Sequence, residues 1–194
     1  MTPLYWIAIG VAVTILTAPA AGALDLAEIF GTLLLVIGWF RLTRALEDLQ
    51  LRLTLSYLAL AALAVAVVLA FPVPREWLED ADPALLWASS LPALGFQAGL
   101  AHVMARRARA AGERTGVWWL VAAVAIGVAV VANVLYDAAG WRWLYGVGTV
   151  GLSGVMLFVV MAAVHGGRTW AGAPEPEPEP DPEPDTGVAA AADD

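Results

Sequence analysis

The strongest constraint on this 194-residue chain is the continuity of its apolar residues. They do not alternate with polar residues as on a soluble surface. They run in blocks of about 17–22 residues, enough at 1.5 Å per residue to cross a hydrocarbon layer of roughly 30 Å. Six blocks are read, over about 4–22, 26–41, 53–71, 84–105, 117–136 and 143–165. At 60% hydrophobic and 14% charged residues, the chain has too little polar surface to cover a soluble domain of its size. Backbone groups in hydrocarbon must bond within their own segment, so blocks of this length imply helices. The expected fold is all-α: an integral membrane domain over 1–170, arranged as a six-helix transmembrane bundle, with a separate tail over 171–194.

Charge sets the expected orientation. Every basic residue is Arg, and the connections alternate in Arg content along the chain. One side receives Arg41, Arg44, Arg52, Arg106, Arg107, Arg109, Arg114 and Arg168, and the other only Arg75 and Arg142. The positive-inside bias makes the first side cytoplasmic, with the turns around Arg41–Arg52 and Arg106–Arg114 as topological anchors. Both termini then lie in the cytoplasm, and the bilayer is a plasma (cytoplasmic) membrane. All nine Trp fall near block ends: Trp6, Trp39, Trp118, Trp119 and Trp170 on the Arg-rich side, Trp77, Trp87, Trp141 and Trp143 on the other. They are expected to form the two interfacial aromatic belts. Ala18 to Ala23 offers small residues of the kind cleaved after a signal peptide, but Met1-Thr-Pro lacks a basic start, so the first block is read as a retained span.

Local signals refine the helices. Asp25 and Glu28 have capping-box spacing at the start of the second block. Arg44, Asp48 and Arg52 recur at i,i+4 beside Leu42, Leu46, Leu49 and Leu53, which predicts helix through most of the second connection. Phe71-Pro-Val-Pro74 ends the third block and an acidic loop is expected over Glu76, Glu79, Asp80 and Asp82. Asp82-Pro83 reads as an N-cap with Pro at N1, and Pro92 is expected to interrupt the helix that follows. Gly146, Gly148, Gly151 and Gly154 permit close helix approach, and Ala122, Ala125, Ala129 and Ala132 form a packing face.

Eight of the 18 acidic residues lie beyond Pro174, so the net charge of −8 belongs to the tail and the body is formally neutral. From Pro174 to Asp185 proline alternates with acid, the composition of a disordered polyproline-II rod of roughly 37 Å at about 3.1 Å per residue. It serves as a solvated spacer or as a dock for a protein partner. Its sign also suits a salt-sensitive return onto the Arg106–Arg114 loop.

The absence of Cys excludes disulfides and thiolate metal sites. Nucleic-acid binding is not expected, because the basic clusters are short turns against a bilayer. Polar residues inside spans concentrate in the half away from the Arg-rich side. Thr14, Thr17, Glu28, Ser89, Ser90, Asn133, Tyr136 and Asp137 form a candidate outward-facing polar cavity for a cation or small solute. The bland alternative is that these hydroxyls bond their own helix carbonyls and Glu28 serves its cap. His102 and His165 fall at similar depth, as a haem-ligating pair would, although histidines at an interface need no such role and no cofactor is predicted. Nothing resembles a catalytic constellation. The expected function is a non-enzymatic accessory or sensory membrane module acting through partners. A small-solute or cation transporter or channel is the alternative, followed by a membrane-embedded enzyme or haem carrier.

Overall fold

A computed structural model of the protein describes residues 1–16, 25–46 and 48–174. Among them the chain forms α1 (Pro3–Leu16), α2 (Leu26–Leu42), α3 (Leu49–Leu69), α4 (Pro72–Ala81), α5 (Pro83–Ala88), α6 (Leu91–Ala110), α7 (Gly116–Ala139) and α8 (Trp143–His165), with no strand. The stretches Leu26–Ala45, Leu49–Leu69, Gly116–Asp137 and Trp143–His165 are long and apolar enough to cross a membrane. Six helices close a ring: α1 packs on α2, α2 on α3, α3 on α6, α6 on α7, α7 on α8, and α8 returns to α1. All six supply residues to one core, including Ile7, Trp39, Leu55, Phe96, Trp119 and Phe158.

The ring is apolar outside as well as inside. On α7, Val117, Val121, Val124, Val128, Val131 and Leu135 form an exposed stripe, while Trp119, Ala122, Ile126, Ala129 and Ala132 face the core. Spacings of three and four residues separate the two stripes on one helix. Similar exposed residues cover α3 (Leu53, Tyr57, Leu60, Val67, Val68) and α8 (Val150, Met156, Val160, Val164). In water, apolar patches above a few hundred Å² promote association. In lipid, large side chains outward and small ones inward is the stable arrangement, because helices then associate through close packing. The protein is accordingly a membrane protein.

Close packing is concentrated in two hairpins. In the first, a Cβ on Gly10 would strike the Gly31 carbonyl oxygen and one on Gly38 would lie 2.8 Å from the Pro3 carbonyl oxygen. In the second, a Cβ on Gly151 would lie 2.8 Å from the backbone of Ala125 and Ala129, and one on Gly154 2.7 Å from the Ala125 Cβ. The alanine face of α7 thus meets Gly151 and Gly154 as expected, while Gly148 meets the Asn133 side chain and Gly146 faces open space.

Several expectations are corrected. The acidic stretch after Phe71 is the helix α4, not a loop. Pro72 stands in its first turn, where a missing N–H costs nothing, and Arg75 pairs with Glu79 one turn on (3.2 Å). The helix of the fourth block is interrupted beside Pro92 as expected, with the break just before it: α5 ends at Ala88, and Pro92 lies in the first turn of α6, where its missing N–H is tolerated. The α2–α3 connection is helical at Thr43–Ala45 and again from Leu49, as expected, but it breaks between them. Leu46 is extended, and Asp48 caps α3, its side chain accepting from the Leu51 N–H. A carboxylate that saturates free N–H groups at a helix start outweighs exposed i,i+4 pairing. Trp39 and Trp119 leave the belts altogether: both are 0% exposed and set edge-on against Phe96 and Phe158 (5.4 and 5.8 Å).

Candidate functional site

The polar residues gather at the two ends of the ring, and the ends differ. At the acidic end, formed by the start of α2, the end of α3 and α4, Asp25 is the organising residue. It is buried, its Oδ1 accepts from the Glu28 N–H (3.1 Å), and its own N–H donates to the Ala70 carbonyl (3.0 Å). Its Oδ2 lies 3.6 Å from Arg75, whose other contact is Glu79. One aspartate thereby caps α2, ties it to the end of α3 and holds α4 against both. In the sequence Arg75 is only one of the two arginines on its side. Its partnership with Asp25, fifty residues earlier, depends on the α2–α3 hairpin bringing them together.

The candidate cavity residues fall in separate places around this end. Thr14 donates to the Val11 carbonyl (2.8 Å), with its methyl against Gly31 of α2, one turn from Glu28. Ser90 donates to the Trp87 carbonyl (2.7 Å), and Ser89 is half-buried beside it. Across the ring, Asn133 donates to the Ala129 carbonyl (3.0 Å) and packs on Gly148 of α8. The Tyr136 ring meets Tyr145 at 5.9 Å, and Asp137 is exposed. Thr17 lies outside the described residues. Thr14, Ser90 and Asn133 each bond a carbonyl of their own segment, which is how isolated polar side chains are accommodated in apolar spans. Helix α8 repeats the pattern: Thr149 donates to Tyr145 and Ser153 to Val150.

At the other end, α2, the α2–α3 turn, α6 and both ends of the described chain converge. Pro3, Arg41, Arg44, Ala45, Thr169 and Pro174 line one cleft of about 770 Å³. Arg41 lies over the Trp6 ring at 5.2 Å. The ion pairs among the described residues both involve Arg75, so the arginines of this end have no acidic partner there. Indole N–H groups of Trp6, Trp119 and Trp170 are enclosed and unbonded at the same end.

The two histidines have unlike surroundings. His165 is buried, 3.0 Å through Nδ1 from the Met161 carbonyl and flanked by Trp119 and Trp170. His102 is on the exposed face of α6. Among the described residues, no group of three or more His, Asp or Glu side chains is arranged to hold a metal ion. Gln97 of α6 lies outside the candidate set that the sequence suggests. It is 6% exposed, its Oε1 unpartnered, and its signal was legible as the single amide within an otherwise apolar block. Compared with known protein families, with characterised proteins and with solved structures, the chain has no match.

Proposed function

We propose that the protein crosses a cytoplasmic membrane six times, keeps both ends of the chain in the cytoplasm, and works as a non-enzymatic accessory or sensory module through partners met at its Arg-rich end. The observation that carries this reading is the difference in saturation between the two ends. At the acidic end the carboxylates of Asp25, Glu79 and Asp82 and the hydroxyls of Thr14 and Ser90 are bonded within the protein. At the Arg-rich end Arg41 and Arg44 are exposed without acidic partners, and the described chain stops beside them at Pro174. The alternating acid–proline stretch begins with the next residue. A stretch of opposite charge that follows an arginine rim in the chain suits recruitment of a protein partner through the tail. Without a partner, the same charges draw the tail onto the rim, an association that weakens as salt rises.

Truncation after Ala173, followed by affinity purification from native membranes, tests the module. A partner captured by the full chain and lost from the truncated one supports it. Solute flux into liposomes that survives the truncation, and falls on substitution of Asn133 or Asp137, replaces it with the transport reading. Orientation is tested separately. The native chain has no Cys, so single cysteines at Ala111 and Ala139 report sidedness directly. Labelling of the first from the cytoplasm only, and of the second from outside only, is the expected result.

A further inference from the structure

We propose that the cleft between the α2–α3 turn and the last turns of α6 binds an oxyanion of the phosphate class, presented by an anionic phospholipid headgroup or by free phosphate. The cleft has a volume of about 460 Å³, and its lining is divided in character. Leu46, Leu51 and Val103 form an apolar flank, and His102, Arg106 and Arg107 bring donors and positive charge. Helix geometry explains the second group. His102 and Arg106 are one turn apart, as are Val103 and Arg107, so consecutive turns of α6 present them towards the turn after α2.

Arg106 is exposed, and water can serve it. Arg107 is different. Its Nη1 is enclosed and finds no acceptor among the described residues. A guanidinium has donors only and keeps its charge at any working pH, so an enclosed N–H of this kind is costly unless an acceptor arrives. The carboxylate in the lining does not supply one. Asp48 is engaged at the start of α3, where Oδ1 accepts from the Leu51 N–H at 3.1 Å, and it pairs with neither arginine.

What the cleft lacks is an anion with several acceptor oxygens. Paired guanidinium groups favour phosphate, whose oxygens accept in the fork geometry that arginine offers. The volume falls in the range of about 300–1,000 Å³ usual for small-molecule sites, roomy enough for a phosphoglycerol headgroup. The apolar flank suits the ester end of such a lipid, and basic pockets between helices at a membrane surface are a recurring way of holding anionic headgroups. The anion site needs only the cleft. The lipid source rests additionally on this end lying at a bilayer surface, as in the proposed topology.

The full chain, purified free of lipid, is placed in nanodiscs containing phosphatidylcholine with a minor fraction of phosphatidylglycerol, and bound lipid is counted by native mass spectrometry. Thermal unfolding in zwitterionic detergent is followed in parallel against inorganic phosphate. One retained phosphatidylglycerol per chain, at least tenfold weaker in Arg106→Gln/Arg107→Met and unchanged in Arg109→Gln/Arg114→Gln, supports the site and names lipid as the source. Stabilisation by millimolar phosphate that Arg107→Met abolishes, without preference for phosphatidylglycerol, supports the same site with a soluble anion. Equal binding by all three proteins, loss that follows total charge, or no binding of either probe overturns the proposal. Arg107→Met is expected to unfold at or above the wild-type temperature when phosphate and lipid are absent. A lower temperature means the guanidinium is already satisfied within the protein, and likewise overturns it.

Discussion

The α7–α8 hairpin and the α3–α6 seam join helices of similar length by opposite means. Along α7–α8 the backbones approach so closely that Gly151 faces the main chain of Ala125 and Ala129 directly. Along α3–α6, Leu55 and Leu58 fill the gap opposite Gly99 and Gly95. Only 22% of the best apolar window of α3 is buried, against 50% for α2. Backbone cannot yield to an intruding atom, whereas a leucine can change rotamer. An atom added to the glycine hairpins therefore meets backbone, whereas one added to the α3–α6 seam meets leucines that can change rotamer. The phosphate cleft opens where that seam meets the α2–α3 turn. An anion held there would bridge α6 to the start of α3.

The sharpest way to break this contrast is to place the same side chain on both seams. Gly151→Leu is expected to cost about 3 kcal/mol or more, because its neighbours at 2.8 Å are backbone atoms. Gly99→Leu is expected to cost about half as much, since the atom it meets first, at 2.6 Å, is the end of the Leu55 side chain. Unfolding in detergent followed by circular dichroism compares them, and equal losses would mean that the seams do not differ.

The next prediction concerns what holds α3. Trp39 of α2 donates to the Ser56 hydroxyl at 2.9 Å, one of few polar ties between these helices. Ser56→Ala leaves a buried indole N–H unmade and should lower stability by about 1–3 kcal/mol. Trp39 fluorescence in a background lacking the other tryptophans would report the changed environment. At the far end of α3, Asp25→Ala removes the α2 cap and the partner of Arg75, and about 1–2 kcal/mol is expected. Faster exchange of the α4 amides would locate the loss, and unchanged α4 protection would show that Asp25 does not hold that helix. The smallest effect has the opposite sign. Gly146→Ala meets nothing within 4 Å and should stabilise α8 by about 0.5–1 kcal/mol.

Much of this was readable from one dimension. The Asp25 cap, the alanine face of α7 and the glycines of α8 follow from spacing along a single helix, where local geometry decides. The helix over α4 was missed because four acids after two prolines look like a loop until Arg75 is seen bonding both Asp25 and Glu79. Depth alone places Trp39 and Trp119 in the interfacial belts. Depth is a property of sequence position, but the direction a ring faces is set by which neighbours surround it.

The sequence by itself determined that this chain belongs in a membrane and how its charge divides along it, because uninterrupted apolar blocks and Arg-rich turns act through their solvent without reference to one another. Only the tertiary structure decided that helices far apart in the chain close a ring, that Arg75 answers Asp25, and that Arg107 has an enclosed donor with no acceptor. Solvation is a sum over residues taken one at a time, and a sequence records it faithfully. Satisfaction of a buried donor depends on the group across the gap, which the order of residues does not specify.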